Sequence, residues 1–176
     1  ATFSPTVETT PDPSLLLSSK KVGVIAQSGG VGFALYNRGL RAGLQFSDVV
    51  TVGNECDLTV SDFLHYMVED PQTSVIALFL EEIRDPARFL QAAHLALRHN
   101  KPIIAIKVGR STEGKQATAS HTGAMSGSNE AYEAAFRTLG IIVVNDLEEA
   151  IGAATLLVAC PLPAGRRIGV VTVSGG

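Results

Sequence analysis

The chain has 176 residues, of which 45% are apolar and 18% charged, and its formal net charge is −3. That is enough chain for one α/β domain with a real core, and too apolar for a disordered segment. No Lys/Arg block exceeds two residues, which argues against a nucleic-acid groove, and no run of about 18 apolar residues occurs, so no segment reads as a membrane-spanning helix.

Residues 1–19 carry Pro5, Pro11 and Pro13 among many Ser and Thr. They lack a basic stretch followed by an apolar one, so they read as a linker or wrapping arm and not as a secretory signal. With no initiator Met, the chain is expected to be a piece of something longer. Val22 to Ala26 reads as a buried strand, Gln27 to Gly32 as a tight turn, and a helix follows to about Ala42. Asp48 to Gly53 is a second strand, and Thr59 to Glu69 a helix ended by Pro71. Ser74 to Leu80 is a third strand. Asp85-Pro86 opens a helix with a capping acid and Pro at the first helical position, and Phe89, Leu90, Ala93 and Leu97 form its apolar face. Pro102 to Lys107 is a fourth strand, followed by a long loop from Val108 to Gly127. Ser128 caps a helix with Glu130 in its first turn, Ile141 to Val144 is a fifth strand, and Asp146 to Val158 closes the domain. Strands alternating with helices, the strands nearly continuous in apolar residues, predict a doubly wound, five-stranded parallel sheet with helices on both faces, of flavodoxin-like type.

Lys20 to Gly30 is echoed by Arg166 to Gly176: two basic residues, an apolar strand and Ser-Gly-Gly recur in register. Pro161 and Pro163 precede the second copy. The expected organisation is therefore an arm over 1–19, the α/β domain over 20–160, and over 161–176 a linker with the first strand of a following α/β domain. The two cysteines, Cys56 and Cys160, form no ligand pattern; they suit a reducing cytosol and are expected to be small packing residues.

The chemistry concentrates in three places. His121 stands in Ser120-His121-Thr122-Gly123-Ala124, with no second His, Cys or acid within five residues, so a local metal cage is not expected. A lone nucleophilic or proton-carrying imidazole among small residues fits, and so does an incidental His in a Gly/Ser-rich loop. Ser28-Gly29-Gly30 lies where a strand hands over to a helix, where free N–H groups favour an anion and glycines allow close approach. A plain tight turn fits as well. Glu81-Glu82 ends the third strand, at the carboxyl edge where open parallel sheets bind ligands. There a carboxylate can orient an imidazole through its N–H, or it can be a solvated acid beside Arg84. His65, His94 and His99 fall on predicted helices and read as surface or packing residues. The residues alone leave two chemistries open. One is phosphoryl transfer through His121, with Ser28, Gly29 and Gly30 holding phosphate and Glu81 orienting the ring. The other is a serine hydrolase with Ser28, Glu81 and His121 in the α/β-hydrolase order, although no His-Gly oxyanion segment precedes Ser28.

Val24-Ile-Ala-Gln-Ser-Gly-Gly30, Val52-Gly-Asn-Glu-Cys-Asp57, Glu69-Asp-Pro-Gln-Thr73, Leu80-Glu-Glu-Ile83 and Ser120-His-Thr-Gly-Ala124, with the following Asn129-Glu-Ala-Tyr-Glu-Ala-Ala-Phe136, resemble the nucleoside-diphosphate-forming acyl-CoA synthetases. These are relatives of the succinyl-CoA synthetase α-subunit and of ADP-forming acetyl-CoA synthetase. The resemblance implies that His121 is the phosphorylated histidine, that Glu81 steadies it, and that the turn at Ser28 starts a helix aimed at the phosphate. It makes Asn54 and Asp57 the candidates for the border of the acyl pocket. It implies no covalent cofactor and no resident metal. CoA and ATP or ADP with Mg would be substrates, bound mainly by a CoA-binding Rossmann domain and an ATP-grasp domain on the same or a partner chain. A small carboxylic acid would be activated, in the cytoplasm, by a homo- or hetero-oligomer, with no nucleic acid and no membrane as partner. Some relatives without the His are silent regulatory domains; His121 is present here.

Overall fold

The computed structural model describes residues 16–109, 129–165 and 167–173. His121, Ser128, Arg166, Ser174 to Gly176 and the prolines of the N-terminal arm lie outside the described residues. Five parallel strands form one sheet: β1 (Lys21–Ala26), β2 (Gln45–Thr51), β3 (Thr73–Leu80), β4 (Ile103–Lys107) and β5 (Ile142–Val144), in the spatial order β2-β1-β3-β4-β5. Five helices are described: α1 (Gly29–Arg41), α2 (Val60–Glu69), α3 (Pro86–Arg98), α4 (Asn129–Thr138) and α5 (Leu147–Ala159). This is the flavodoxin-like, doubly wound arrangement that the alternation of elements predicts.

Successive strand residues point to opposite faces, and each face builds its own core. Ile25, Ile76, Leu78, Leu80, Ile103 and Ala105 join Leu64 and Met67 of α2, Phe89 of α3 and Phe136 of α4. Val22, Val24, Val75, Ala77, Ile104 and Ile106 join Leu35 of α1 and Ile151, Ala154 and Val158 of α5. Burial on both faces is why the inner strands read as unbroken apolar runs. β2 is an edge strand whose seven residues are all half-buried, so its start at Gln45 does not stand out in the sequence.

Caps set the helix boundaries. Ser28 accepts from the Val31 N–H, which makes Gly29 the first residue of α1 and puts Gly29, Gly30 and Gly32 inside the helix and not in a preceding turn. Thr59 and Asp62 form a capping box at α2, and Asp85 accepts from the Arg88 N–H with Pro86 at the first helical position of α3.

Two expectations are corrected. The buried face of α3 is Phe89, Ala92, Ala93 and Ala96, whereas Leu90 and Leu97 are exposed. Small alanines let α3 lie close against α2, so packing distance overrides hydrophobicity. Cys56 and Cys160 are both exposed free thiols and not buried packing residues. Residues 167–173 lie outside the five-stranded sheet, with Ile168, Val170, Val171 and Val173 exposed, and the expected following α/β unit reaches beyond the described residues. His65, His94 and His99 lie on or at the end of helices: His65 is 3.8 Å from Glu69 one turn on, His94 Nδ1 meets the Leu90 carbonyl, and His99 caps α3.

Candidate functional site

The strand register brings the carboxyl ends level. Ala26 pairs with Thr51 on one side and Phe79 on the other, and Leu80 pairs with Lys107. The residues just past those ends therefore form one edge: Gln27 and Ser28 after β1, Gly53 to Glu55 after β2, Glu81 and Glu82 after β3, and Val108 after β4. In an open parallel sheet this edge is where ligands are taken, because helix N-termini point toward it.

Ser28 has an ordinary extended backbone, φ −104° and ψ 122°, and its hydroxyl oxygen is the acceptor of the helix cap. This is not the sharp, strained turn of a serine nucleophile elbow. Gly29 and Gly30 are exposed in the first turn of α1, and a Cβ added at either would meet nothing within 4 Å among the described residues. None of the described residues requires those two glycines, so none of them fills the space above the start of α1. Gly32 differs, since a Cβ there would come within 2.9 Å of the Thr51 methyl.

Glu81 and Glu82 are half-buried on a turn held by side chains from elsewhere. Gln27, itself buried, accepts from the Glu81 and Glu82 N–H groups at 2.5 and 3.0 Å, and its amide donates to the Glu82 carbonyl at 2.8 Å. Lys107, also buried, donates to the carbonyls of Glu81 at 2.8 Å and Val108 at 2.6 Å. The Tyr132 hydroxyl of α4 accepts from the Ile83 N–H at 3.3 Å, and the Lys107 ammonium sits 4.9 Å from the Tyr132 ring centre.

A small polar cleft of about 10 Å³, the size of one water, is lined by Gln27, Gly53, Asn54, Glu55, Glu81, Glu82 and Arg84. Asn54 thus shares the edge with Glu81, while Asp57 is exposed and does not line the cleft. Glu55 does, and sequence reading passes over it. Its carboxyl is 1% exposed. Its backbone is left-handed, φ 52°, two residues after Gly53 at φ 53°. One oxygen accepts from the Val60 N–H at 2.7 Å. The other has no hydrogen-bond partner among the described residues and faces Arg84 Nε at 3.6 Å. Burial pushes the Glu55 carboxyl above the usual carboxylate range, against the opposing pulls of the Val60 N–H, the Gln27 side chain and the Arg84 charge. Among the described residues no cluster of His, Cys, Asp and Glu could hold a metal ion, and no helix is long and apolar enough to cross a membrane.

The sequence-predicted residues Ser28, Gly29, Gly30, Asn54 and Glu81 therefore share one edge, and Lys107 and Tyr132, on either side of the segment that contains His121, meet the Glu81–Ile83 turn there. The chain belongs to the family described as the succinyl-CoA ligase like flavodoxin domain, whose model matches residues 19–157. It is 37% identical over 155 residues to the alpha subunit of the ADP-forming acetate–CoA ligase II of Pyrococcus furiosus, covering 88% of this chain and 34% of that one. It is 39% identical over 155 residues to the ADP-forming acetate–CoA ligase of Methanocaldococcus jannaschii, covering 88% of this chain and 22% of that one. Among solved structures it is similar to the acetyl-coenzyme A synthetase 1 of Candidatus Korarchaeum cryptofilum in complex with phosphate and ADP. The TM-score is 0.75 and the identity 38%, covering 84% of this chain and 32% of that one. The chain thus spans about a third or less of the length of these relatives.

Proposed function

We propose that this domain carries the phosphoryl group in an acid–CoA ligase that makes or cleaves acyl-CoA with ATP or ADP and phosphate. In the cleaving direction, a phosphate oxygen attacks the thioester carbon, the C–S bond breaks, and the CoA thiolate leaves with a proton, giving an acyl phosphate. A neutral His121 nitrogen then attacks phosphorus, the bond from phosphorus to the acyl oxygen breaks, and the carboxylate leaves. The phosphoryl group moves from His121 to a nucleoside diphosphate. The carboxylate of Glu81 accepts the N–H of the other ring nitrogen and offsets the charge that develops on the ring. Ser28, Gly29 and Gly30, at the start of α1, offer N–H groups to the phosphoryl oxygens. Asn54, and Asp57 beyond the cleft, border the acyl group. CoA, nucleotide and Mg would be held mainly by a CoA-binding and an ATP-grasp module on the same or a partner chain, in a homo- or hetero-oligomer. Arg166 to Gly176 begins a further α/β unit. A soluble, cytoplasmic setting suits this chemistry.

The observation that carries the reading is the convergence, on one sheet edge of a member of this family, of an anion-ready helix start whose glycines face open space, a rigidly held acid turn, and both flanks of the His121 segment. The test is to incubate the complete enzyme with γ-labelled ATP and map the label. Acid-labile label on His121, absent from His121→Ala, is expected. Label that persists in His121→Ala, or stoichiometric capture of Ser28 by a fluorophosphonate, would overturn the assignment, the second in favour of a hydrolase.

A further inference from the structure

The turn that bears Glu81 is fixed in a way the fold does not need. A strand end in an open sheet normally pairs with neighbouring backbone or with water. Here the N–H and C=O of Glu81, the N–H and C=O of Glu82 and the N–H of Ile83 are all bonded to side chains. Those side chains come from three separate elements: Gln27 from the β1–α1 junction, Lys107 from the end of β4, and Tyr132 from α4. Gln27 and Lys107 are among the few buried polar residues described. Burying an amide and an ammonium costs free energy that apolar side chains at the same places would not. An amide can accept from both N–H groups with its oxygen while donating to the Glu82 carbonyl with its nitrogen, a combination that neither a carboxylate nor an ammonium offers. Gln27 is also the residue immediately before the Ser28 cap, so one side chain ties the start of α1 to the acid turn. Lys107 ties that turn to the strand from which the His121 segment departs.

We propose that Gln27, Lys107 and Tyr132 are positioning residues, a three-point clamp that holds the Glu81 carboxylate in the geometry needed beside the phosphoryl-accepting imidazole. The inference rests on the reading of Glu81 given above. Group transfer is sensitive to placement: a shift of about 1 Å in a supporting group can slow a reaction about 100-fold without touching the reacting atoms. None of the three clamps by contact with substrate. They act through the backbone of Glu81 to Ile83, so their removal should add nothing once the Glu81 carboxylate is gone.

The experiment is a double-mutant cycle on the rate of phosphohistidine formation from ATP in the complete enzyme, with Gln27→Met, Lys107→Met and Tyr132→Phe each made alone and together with Glu81→Gln. Gln27→Met and Lys107→Met should slow phosphorylation about 10- to 100-fold, and Tyr132→Phe, which loses one hydrogen bond and keeps its ring, several-fold. The KM for ATP should be unchanged, and each double variant should be no slower than Glu81→Gln alone. Additive losses, or normal phosphorylation in Gln27→Met beside a crippled Glu81→Gln, would overturn the clamp and leave the Glu81 assignment standing. A Glu81→Gln enzyme as fast as the unmodified one would overturn the Glu81 assignment and the clamp with it. Tyr132→Phe carries the cycle if a buried substitution prevents folding.

Discussion

Glu55→Gln should stabilise the protein at neutral to alkaline pH, and the structure gives the reason and the size. The carboxyl is sequestered, with 1% of its side chain exposed. Its Oε1 accepts from the Val60 N–H, a bond that an amide oxygen makes as well. Its Oε2 is, among the described residues, a buried oxygen without a hydrogen bond; an amide leaves an unpartnered group there too but an uncharged one, and relieving the buried charge is worth about 1–3 kcal/mol. The offsetting gain is the Arg84 pair, 3.6 Å apart with the guanidinium 45% exposed, which is worth at most about 1 kcal/mol at such a surface-facing position. The balance favours the neutral amide by about 1 kcal/mol. The sign of the pH dependence follows from linkage. Burial raises the folded-state pKa of Glu55, so between the usual glutamate range and that raised value the folded state binds more protons than the unfolded state. Stability attributable to Glu55 is full at acid pH and is lost as pH rises through that window. Urea unfolding of both proteins at about pH 4 and about pH 8 checks it, since the two should nearly coincide in acid and separate in base, Glu55→Gln being the more stable. A Glu55→Gln protein less stable by more than about 1 kcal/mol at the higher pH would refute the reasoning, by showing that the Arg84 pair outweighs burial.

Three further outcomes are expected from the same unfolding measurements. Gly39→Ala should destabilise by about 1–3 kcal/mol, because the new methyl would lie 2.5 Å from Cζ of Phe46 and 3.3 Å from Cδ1 of Leu44, and ordinary stability would show that Phe46 can move aside. Gly152→Ala, in α5 with open space around the added methyl, should instead gain up to about 1 kcal/mol from helix propensity, and a loss there would count against the described packing of α5. Asp85→Ala should cost about 1 kcal/mol by leaving the Arg88 N–H without its cap, and an unchanged midpoint would show that the α3 cap is dispensable.

The parts of the fold that were legible in the sequence are those where a single physical demand dominates. Val22 to Ala26 and Ile103 to Ile106 are buried on both faces, so apolarity alone marks them as strands. Asp85-Pro86 marks a helix start because Pro lacks the N–H that a first-turn residue leaves unpaired and the acid caps the next turn. Legibility fails where demands compete. Leu90 and Leu97 outrank Ala92 and Ala96 in hydrophobicity, but the close approach of α3 admits only the smaller residue. Gln45 to Ser47 belongs to an edge strand and lacks the signal of a buried one. At the site, Ser28, Gly29, Gly30 and Glu81 could be named from their place after strands. Gln27, Glu55 and Lys107 could not, because long polar residues at strand ends are ordinarily solvated. The available sign was that Gln27 and Lys107 directly continue apolar runs, with no turn residue between.

The strand order has a consequence for how the chain reaches its native state. β1 lies between β2 and β3, and its pairing with β3 joins Val22 to Val75 and Ala26 to Phe79. As the chain leaves the ribosome, β1 can dock on β2 early, but its other edge waits for some fifty further residues. During that interval Val22 to Ala26 offers an apolar, unsatisfied strand edge to any neighbouring nascent chain. The Ser28 cap of α1 and the capping box of α2 then matter for timing as well as for stability: both helices precede β3, and by forming promptly on their own they shorten the delay before β3 arrives, and with it the window for misassembly.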